Sequence, residues 1–357
     1  MEKNNELMVT LIDLAIKNSS SDIHLISGSV PVLRTQGRLE TYPLVGQMTT
    51  ESVKSLVLNL MNESQKEKFL RELELDFSVN IPGRTRFRAN AYFQKGSCAI
   101  SLRRIPDKVL SIEELGLPDI CHAFAKLKQG FVLVTGPTGA GKSTTLASVL
   151  DEINTNRQEH IVTIEDPIEF VHENKKSFVS QRELGGDTLS WNNSLRSVLR
   201  QDPNVVYIGE MRDADTMQAA MTVAETGHLV FATLHTNSAS QTIERIVDSF
   251  QSVQQPQVVL QLSMVLEAVM TQKLIPTVNG KQIVASEIMV VTPAIRNHIR
   301  EGKTFQIDNV IQTSGNLGMR LLEQSLADLV NKGLVDKNVA LEYAIRPSVL
   351  SKLLGGR

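Results

Sequence analysis

The chain has 357 residues, more than one domain ordinarily holds, so two domains are expected. Hydrophobic residues make up 41% and charged residues 21%, which excludes a disordered or fibrous chain, and the net charge of −2 gives no reason to expect nucleic acid or an acidic membrane as partner. The only two cysteines, Cys98 and Cys121, belong to no metal-ligand cluster and exclude a disulfide scaffold.

The opening stretch, Met1-Glu-Lys-Asn-Asn-Glu-Leu7, has neither the basic start nor the apolar run of a signal peptide. No apolar stretch approaches the roughly 20 residues that span a bilayer. A soluble, cytoplasmic protein is expected, with any membrane association made through partners.

Residues 1–105 read as a small mixed α/β domain. Residues 7–16 have helical periodicity, residues 22–26 open a strand, and Gly37 marks a turn. Within residues 84–93, alternation puts Phe87, Ala89 and Ala91 on one face and Arg86, Arg88 and Asn90 on the other. Residues 98–105 supply the partner strand. A boundary at Pro106-Asp107-Lys108 begins a linker over residues 106–118, where Ser111 and Glu114 have the spacing of a capping box that predicts a short helix ending near Pro118.

Residues 119–357 form the second expected domain. Four short, continuously apolar runs, at 131–134, 160–164, 205–208 and 228–232, have the texture of strands buried on both faces of a parallel sheet. Each ends in polar or glycine-containing sequence, at the carboxyl edge where such sheets bind ligands. From about residue 255 the chain reads as helical, interrupted by two short strands about a turn at residues 276–281.

Gly136, Pro137, Thr138, Gly139, Ala140, Gly141, Lys142 and Ser143 match G-x-x-x-x-G-K-[ST] in full. Successive backbone N–H groups of such a loop point at phosphate oxygens, and the helix that follows adds its positive end. Lys142 is expected at the β- and γ-phosphates of ATP and Ser143 on Mg²⁺. Thr144 and Thr145 are expected nearer the base. Glu165 and Glu210 each end an apolar run: Glu210 is assigned to the attacking water and Glu165 to Mg²⁺ or its waters, Asp166 being a weaker candidate. Gly209 stands where an aspartate commonly precedes the catalytic acid, which shifts metal ligation toward Glu165. His235, at the carboxyl end of the fourth run, is within expected reach of the γ-phosphate. His228, at the opposite end, is included among nucleotide contacts, with a structural or interdomain role as the alternative. Arg88 and Arg103 are assigned as fingers completing the site; Arg196, Arg200 and Arg212 are read as sensing phosphate or stabilising the sheet.

These motifs, in this order, resemble the secretion-ATPase superfamily of type II secretion and type IV pilus motors. Residues 164–169 resemble its Asp box, residues 206–213 its Walker B box and residues 226–239 its His box. The resemblance implies an α/β fold in which a PAS-like domain (1–105) precedes a RecA-like ATPase core (119–357) with a mainly parallel sheet. It also implies a homohexamer in which ATP binds between the PAS-like domain of one subunit and the core of the next. Three features resemble the retraction branch: no long extra amino-terminal domains, no four-cysteine insert after Leu274, and Ala294-Ile-Arg-Asn-His-Ile-Arg-Glu301, which differs from that branch's motif at His298. The implied partner is a pilus platform protein of the inner membrane, reached from its cytoplasmic face, with no nucleic acid and no membrane segment of the chain's own. An export or pilus-assembly ATPase, a RecA-like nucleic-acid motor and a non-hydrolytic regulator are the alternatives.

Overall fold

A computed structural model describes residues 2–43, 46–106 and 108–355; Asp107, at the expected boundary, lies outside the described residues. The chain divides into two units, Met1–Lys108 and Val109–Arg357.

In the first unit, α1 (Glu2–Lys17), β1 (Ser20–Ile26), β2 (Val32–Thr35), β3 (Arg38–Thr41), α2 (Thr50–Asn59), α3 (Glu63–Glu72), β4 (Glu74–Asn80), β5 (Arg86–Gln94) and β6 (Ser97–Arg104) follow in order. The strands form one antiparallel sheet in the order β3-β2-β1-β6-β5-β4. The alternation read from residues 84–93 is realised. Phe87, Ala89 and Ala91 are buried beneath α1 and α2, alongside Leu11, Val53 and Leu56, while Arg88 is exposed on the other face.

The second unit carries α4 (Ile120–Lys126), β7 (Gly130–Thr135), α5 (Lys142–Asn156), β8 (His160–Glu165), β9 (Phe178–Glu183), α6 (Trp191–Val198), β10 (Val205–Ile208), α7 (Ala214–Glu225) and β11 (Leu229–Leu234). It continues with α8 (Ala239–Asp248), α9 (Gln255–Val265), β12 (Leu266–Pro276), β13 (Gln282–Val290), α10 (Pro293–Arg300), α11 (Ile307–Thr313), α12 (Leu322–Asn331), α13 (Lys337–Tyr343) and α14 (Pro347–Leu353). Its sheet runs β13-β12-β7-β11-β10-β8-β9, parallel throughout except for β13. The four apolar runs are its central strands. Phe131, Leu133, Val206 and Ile208 pack on one face, Val132, Val134, Val205 and Tyr207 on the other, so helices cover both. On α5, Leu146, Val149, Leu150 and Ile153 are buried as their spacing predicts.

Two expectations are corrected and one strand is added. Residues 112–116 are turns, not helix, although Ser111 and Glu114 exchange both capping hydrogen bonds; Gly116 and Pro118 stop the turn before a helix can propagate. The strands about the 277–281 turn are 11 and 9 residues long, not short, because they pair with each other and β12 also pairs with β7. Strand β9 was not foreseen: it is an edge strand with a polar sequence and only partial burial, so it lacks the apolar run of its neighbours.

Candidate active site

β7 ends at the carboxyl edge of the sheet, where the chain turns through residues 136–141 into α5. A Cβ at Gly136 would lie 2.3 Å from the carbonyl oxygen of Gln272, so only glycine lets the loop sit against β12. Gln272 is fully buried and braces the loop: its Nε2 donates to Ala140 O at 2.6 Å and its Oε1 accepts from Thr145 Oγ1 at 2.9 Å. Thr145 is thereby turned inward, not toward a base as expected; Thr144 stays part-buried beside it. Pro137, Thr138 and Gly139 are exposed along the loop, and Ser143 is part-buried in the first turn of α5.

Lys142 folds back over its own loop. Its Nζ donates to Gly136 O at 2.9 Å and Pro137 O at 3.2 Å, and stands 3.4 Å from His235 Nδ1. Burial lowers its pKa against the pull of Glu210 and Glu169. An ammonium only donates, so His235 Nδ1 is the acceptor and the ring proton sits on Nε2. That nitrogen lies 3.1 Å from Glu210 Oε1. The other oxygen of Glu210 accepts from Arg212 Nε at 2.8 Å, and Arg212 also faces Asp166 at 3.9 Å. Lys142, His235, Glu210 and Arg212 thus form one continuous polar chain at the mouth of the loop.

Glu165 closes β8 on the face that carries α5. It is buried, accepting from Thr163 Oγ1 (2.6 Å), Gln181 Nε2 (3.3 Å) and Glu169 N (3.4 Å). Burial pushes its pKa up to about 7 despite these donors. Tyr207, opposite Thr163 on the neighbouring strand, feels the charges of Glu165 and Glu169 and shares a hydrogen bond with Ser143. Gly209 has a steric reason: a Cβ there would stand 3.3 Å from Glu165 Cα, so an aspartate would press Glu165 out of place. Edge strand β9 holds the following loop, Glu183 accepting from Ile168 N and Gln181 from His172 N.

Within the second unit, the structure does not bring every expected residue to this site. His228 precedes β11 at the opposite edge of the sheet, its Nδ1 engaged by Thr226 and Val223 O. Arg196 and Arg200 are exposed at the end of α6 and in the connection into β10, also at that far edge. In the first unit, Arg88 and Arg103 stand directly opposite each other on β5 and β6. Arg103 already donates to Asp22 at 2.9 Å. Burial opposes the charge on Asp22, but this bond and one from Ser21 outweigh it and hold the carboxyl below its usual pKa. Gln272, Tyr207 and Gln181 escaped the sequence reading. Gln272 lies 132 residues from its partner Ala140, and no local pattern announces such a brace.

A phosphate loop on a mainly parallel sheet, with two acids and a histidine gathered at its mouth, defines a P-loop ATP hydrolase. The comparisons narrow the class: the chain belongs to the Type II/IV secretion system protein family, whose pattern it matches over residues 3–309. It is 47% identical to the type IV pilus retraction ATPase PilT of Pseudomonas aeruginosa, covering 94% of this chain and 98% of that one. It is also 47% identical to a twitching motility protein of Neisseria gonorrhoeae, over 92% of this chain and 88% of the other. Among solved structures, the pilus retraction motor PilT with bound ADP superposes with a TM-score of 0.89 at 42% identity, covering 96% of this chain and 98% of that one. The Legionella pneumophila ATPase DotB superposes at 0.83 and 27% identity, with 94% of each chain covered.

Proposed function

We propose that this chain hydrolyses Mg·ATP to retract type IV pili and drive twitching motility, working as a homohexamer at the cytoplasmic face of the inner membrane against a pilus platform protein. The observation that carries the reading is the continuous Lys142–His235–Glu210–Arg212 chain at the phosphate loop, in a chain that follows pilus retraction ATPases along nearly its full length. Two features favour retraction over assembly. β12 and β13 are joined by the tight turn 277–281, which leaves no room for a cysteine insert, and α10 carries the retraction-like sequence. No helix among the described residues is long and apolar enough to cross a membrane, so contact with the bilayer runs through the partner.

The residues fit Mg²⁺. Ser143, Glu165 and Glu169 all act on Tyr207, Ser143 through a hydrogen bond and the two glutamates through their charge, so three oxygen donors of the kind Mg²⁺ takes lie around one side chain beside the phosphate loop. Among the described residues no group of three or more His, Cys, Asp or Glu could hold a metal alone, which suits an ion shared with substrate phosphates. Held by these residues together with the nucleotide, Mg²⁺ would supply neutralisation of the phosphate charge. Lys142 exchanges the carbonyls of Gly136 and Pro137 for β- and γ-phosphate oxygens. Glu210, held by His235 and Arg212, orients the attacking water and takes its proton. Arg88 and Arg103 of a neighbouring subunit complete the site, Arg103 trading Asp22 for phosphate. Because these contacts depend on the γ-phosphate, its loss reopens the subunit boundary and generates movement.

Lys142→Ala tests both levels at once. The purified variant keeps its fold and loses phosphate release; cells carrying it remain piliated and do not retract. Normal phosphate release would remove the site assignment. Bald cells would shift the function to assembly.

A further inference from the structure

Behind the active site, three carboxylates crowd one guanidinium. Glu287 on β13 and Glu323 on α12 are fully buried, and Asp308 on α11 is part-buried. Arg346, between α13 and α14, reaches all three: it is ion-paired with Asp308, lies 3.0 Å from Glu323 Oε2 and 3.8 Å from Glu287 Oε2. Glu323 Oε1 accepts from the backbone N–H of both Ile345 and Arg346, which fixes the arginine in place. Lys273, on β12, also faces Glu323.

Glu287 differs from the other two. Its Oε1 accepts at 2.8 Å from the N–H of Ala239, the first residue of α8, while its Oε2 makes no hydrogen bond. α8 begins four residues after His235. The intervening segment is fastened to it, Thr236 Oγ1 to Thr242 Oγ1 at 2.7 Å and Ser238 Oγ to Gln241 N at 3.2 Å. Across the sheet, Glu287 stands opposite Thr271, whose hydroxyl bonds Thr135, the last residue before the phosphate loop. Glu287 therefore holds the helix that carries the His235 segment and sits in register, across Thr271, with the last residue before the loop.

We propose that Glu287 is a positioning residue for ATP hydrolysis: its carboxylate anchors the first turn of α8, holding His235 in line with Glu210, and Arg346 is the counter-ion that keeps it charged. The inference rests on the assignment of His235 to the nucleotide site. An ionised carboxylate binds a helix amino terminus more strongly than a neutral one, so protonation loosens α8. Burial pushes Glu287 from its ordinary 4.5 to about 7, opposed by the Ala239 N–H and Arg346 and aided by Asp308 and Glu323. The folded state thus holds this proton more tightly than the unfolded chain. Stability from this group is present at acid pH and lost as pH rises through about 7. Turnover runs the opposite way, which a purely structural role would not produce.

The test is the pH profile of kcat and of thermal stability in full-length protein. Wild type should lose turnover below about pH 7 and, over the same range, gain stability relative to Glu287→Gln. Glu287→Gln keeps the acceptor for Ala239 and cannot titrate, so its acid limb and its stability gradient should both shrink to what Glu165, the other buried carboxylate raised to about 7, supplies. Arg346→Gln should move the limb to higher pH, and Arg346→Lys should largely restore it. Should Arg346→Gln fail to fold, Glu287→Gln still decides, since it removes one of three crowded charges. A Glu287→Gln enzyme with the wild-type acid limb overturns the proposal. Lys142→Ala separates the two readings: if it hydrolyses ATP normally, the site assignment itself has failed; if it is inert while Glu287→Gln keeps the limb, only this inference has.

Discussion

Gly136 has its carbonyl neighbour on β12 so close that any side chain must displace one of them. Gly136→Ala should therefore weaken ADP binding by more than about tenfold, the cost of a 1.4 kcal/mol misfit, with the secondary structure retained; calorimetric titration with ADP checks this. Equal affinity would show that the loop does not need its contact with Gln272. The glycine itself was legible, because the phosphate-loop spacing names it. Its reason was not: the obstructing atom belongs to a strand far along the chain. Gly209 teaches the same lesson in reverse. From the sequence it reads as a missing aspartate, and in the structure it makes room for Glu165.

At the scale of elements, α10 shows what the retraction-like motif does locally. Ile295 and Ile299 are buried against the core, and Arg296 donates at 2.8 Å to the carbonyls of Ser263 and Met264, which end α9, and at 2.7 Å to Glu267. His298 flanks this face half-buried, its Nδ1 without a hydrogen-bond partner. Arg296→Met should strip the cap from α9 and cost about 1–3 kcal/mol, read as a lowered melting temperature with kcat per folded molecule nearly unchanged. An unaltered melting temperature would leave the motif free of this structural duty. Helices with a clear apolar stripe and strands with continuous apolar runs were readable because both patterns are local. Edge strand β9 was not readable: half its surface faces away from the core, so its polar sequence resembles a loop. The capping box at Ser111 was correctly read as a pair of hydrogen bonds and misread as a helix, since capping cannot lengthen a turn that Gly116 and Pro118 cut short.

For the whole molecule, the separation of Arg88 and Arg103 into their own unit makes a prediction about assembly. A protein carrying Arg88→Ala and Arg103→Ala should lose ~10³-fold in kcat, as removal of a finger does elsewhere. Mixed with Lys142→Ala protein, itself inert, it should regain activity well above the sum of the two alone, because each variant supplies what the other lacks across a subunit boundary. No gain on mixing, after subunit exchange has been verified by sedimentation, would place the arginines in their own subunit's site or outside any.

From its sequence alone this protein declares a phosphate loop, acids at strand ends, a two-domain α/β plan and a family resemblance. Those signals survive in one dimension because each depends on neighbours within a turn or a strand. Only the folded chain decides which groups meet. Gln272 braces a loop 132 residues away, His235 bridges Lys142 and Glu210, and Arg346 serves Glu287. Polar contacts of that range leave no periodicity behind, since a single side chain at each end is enough to make them.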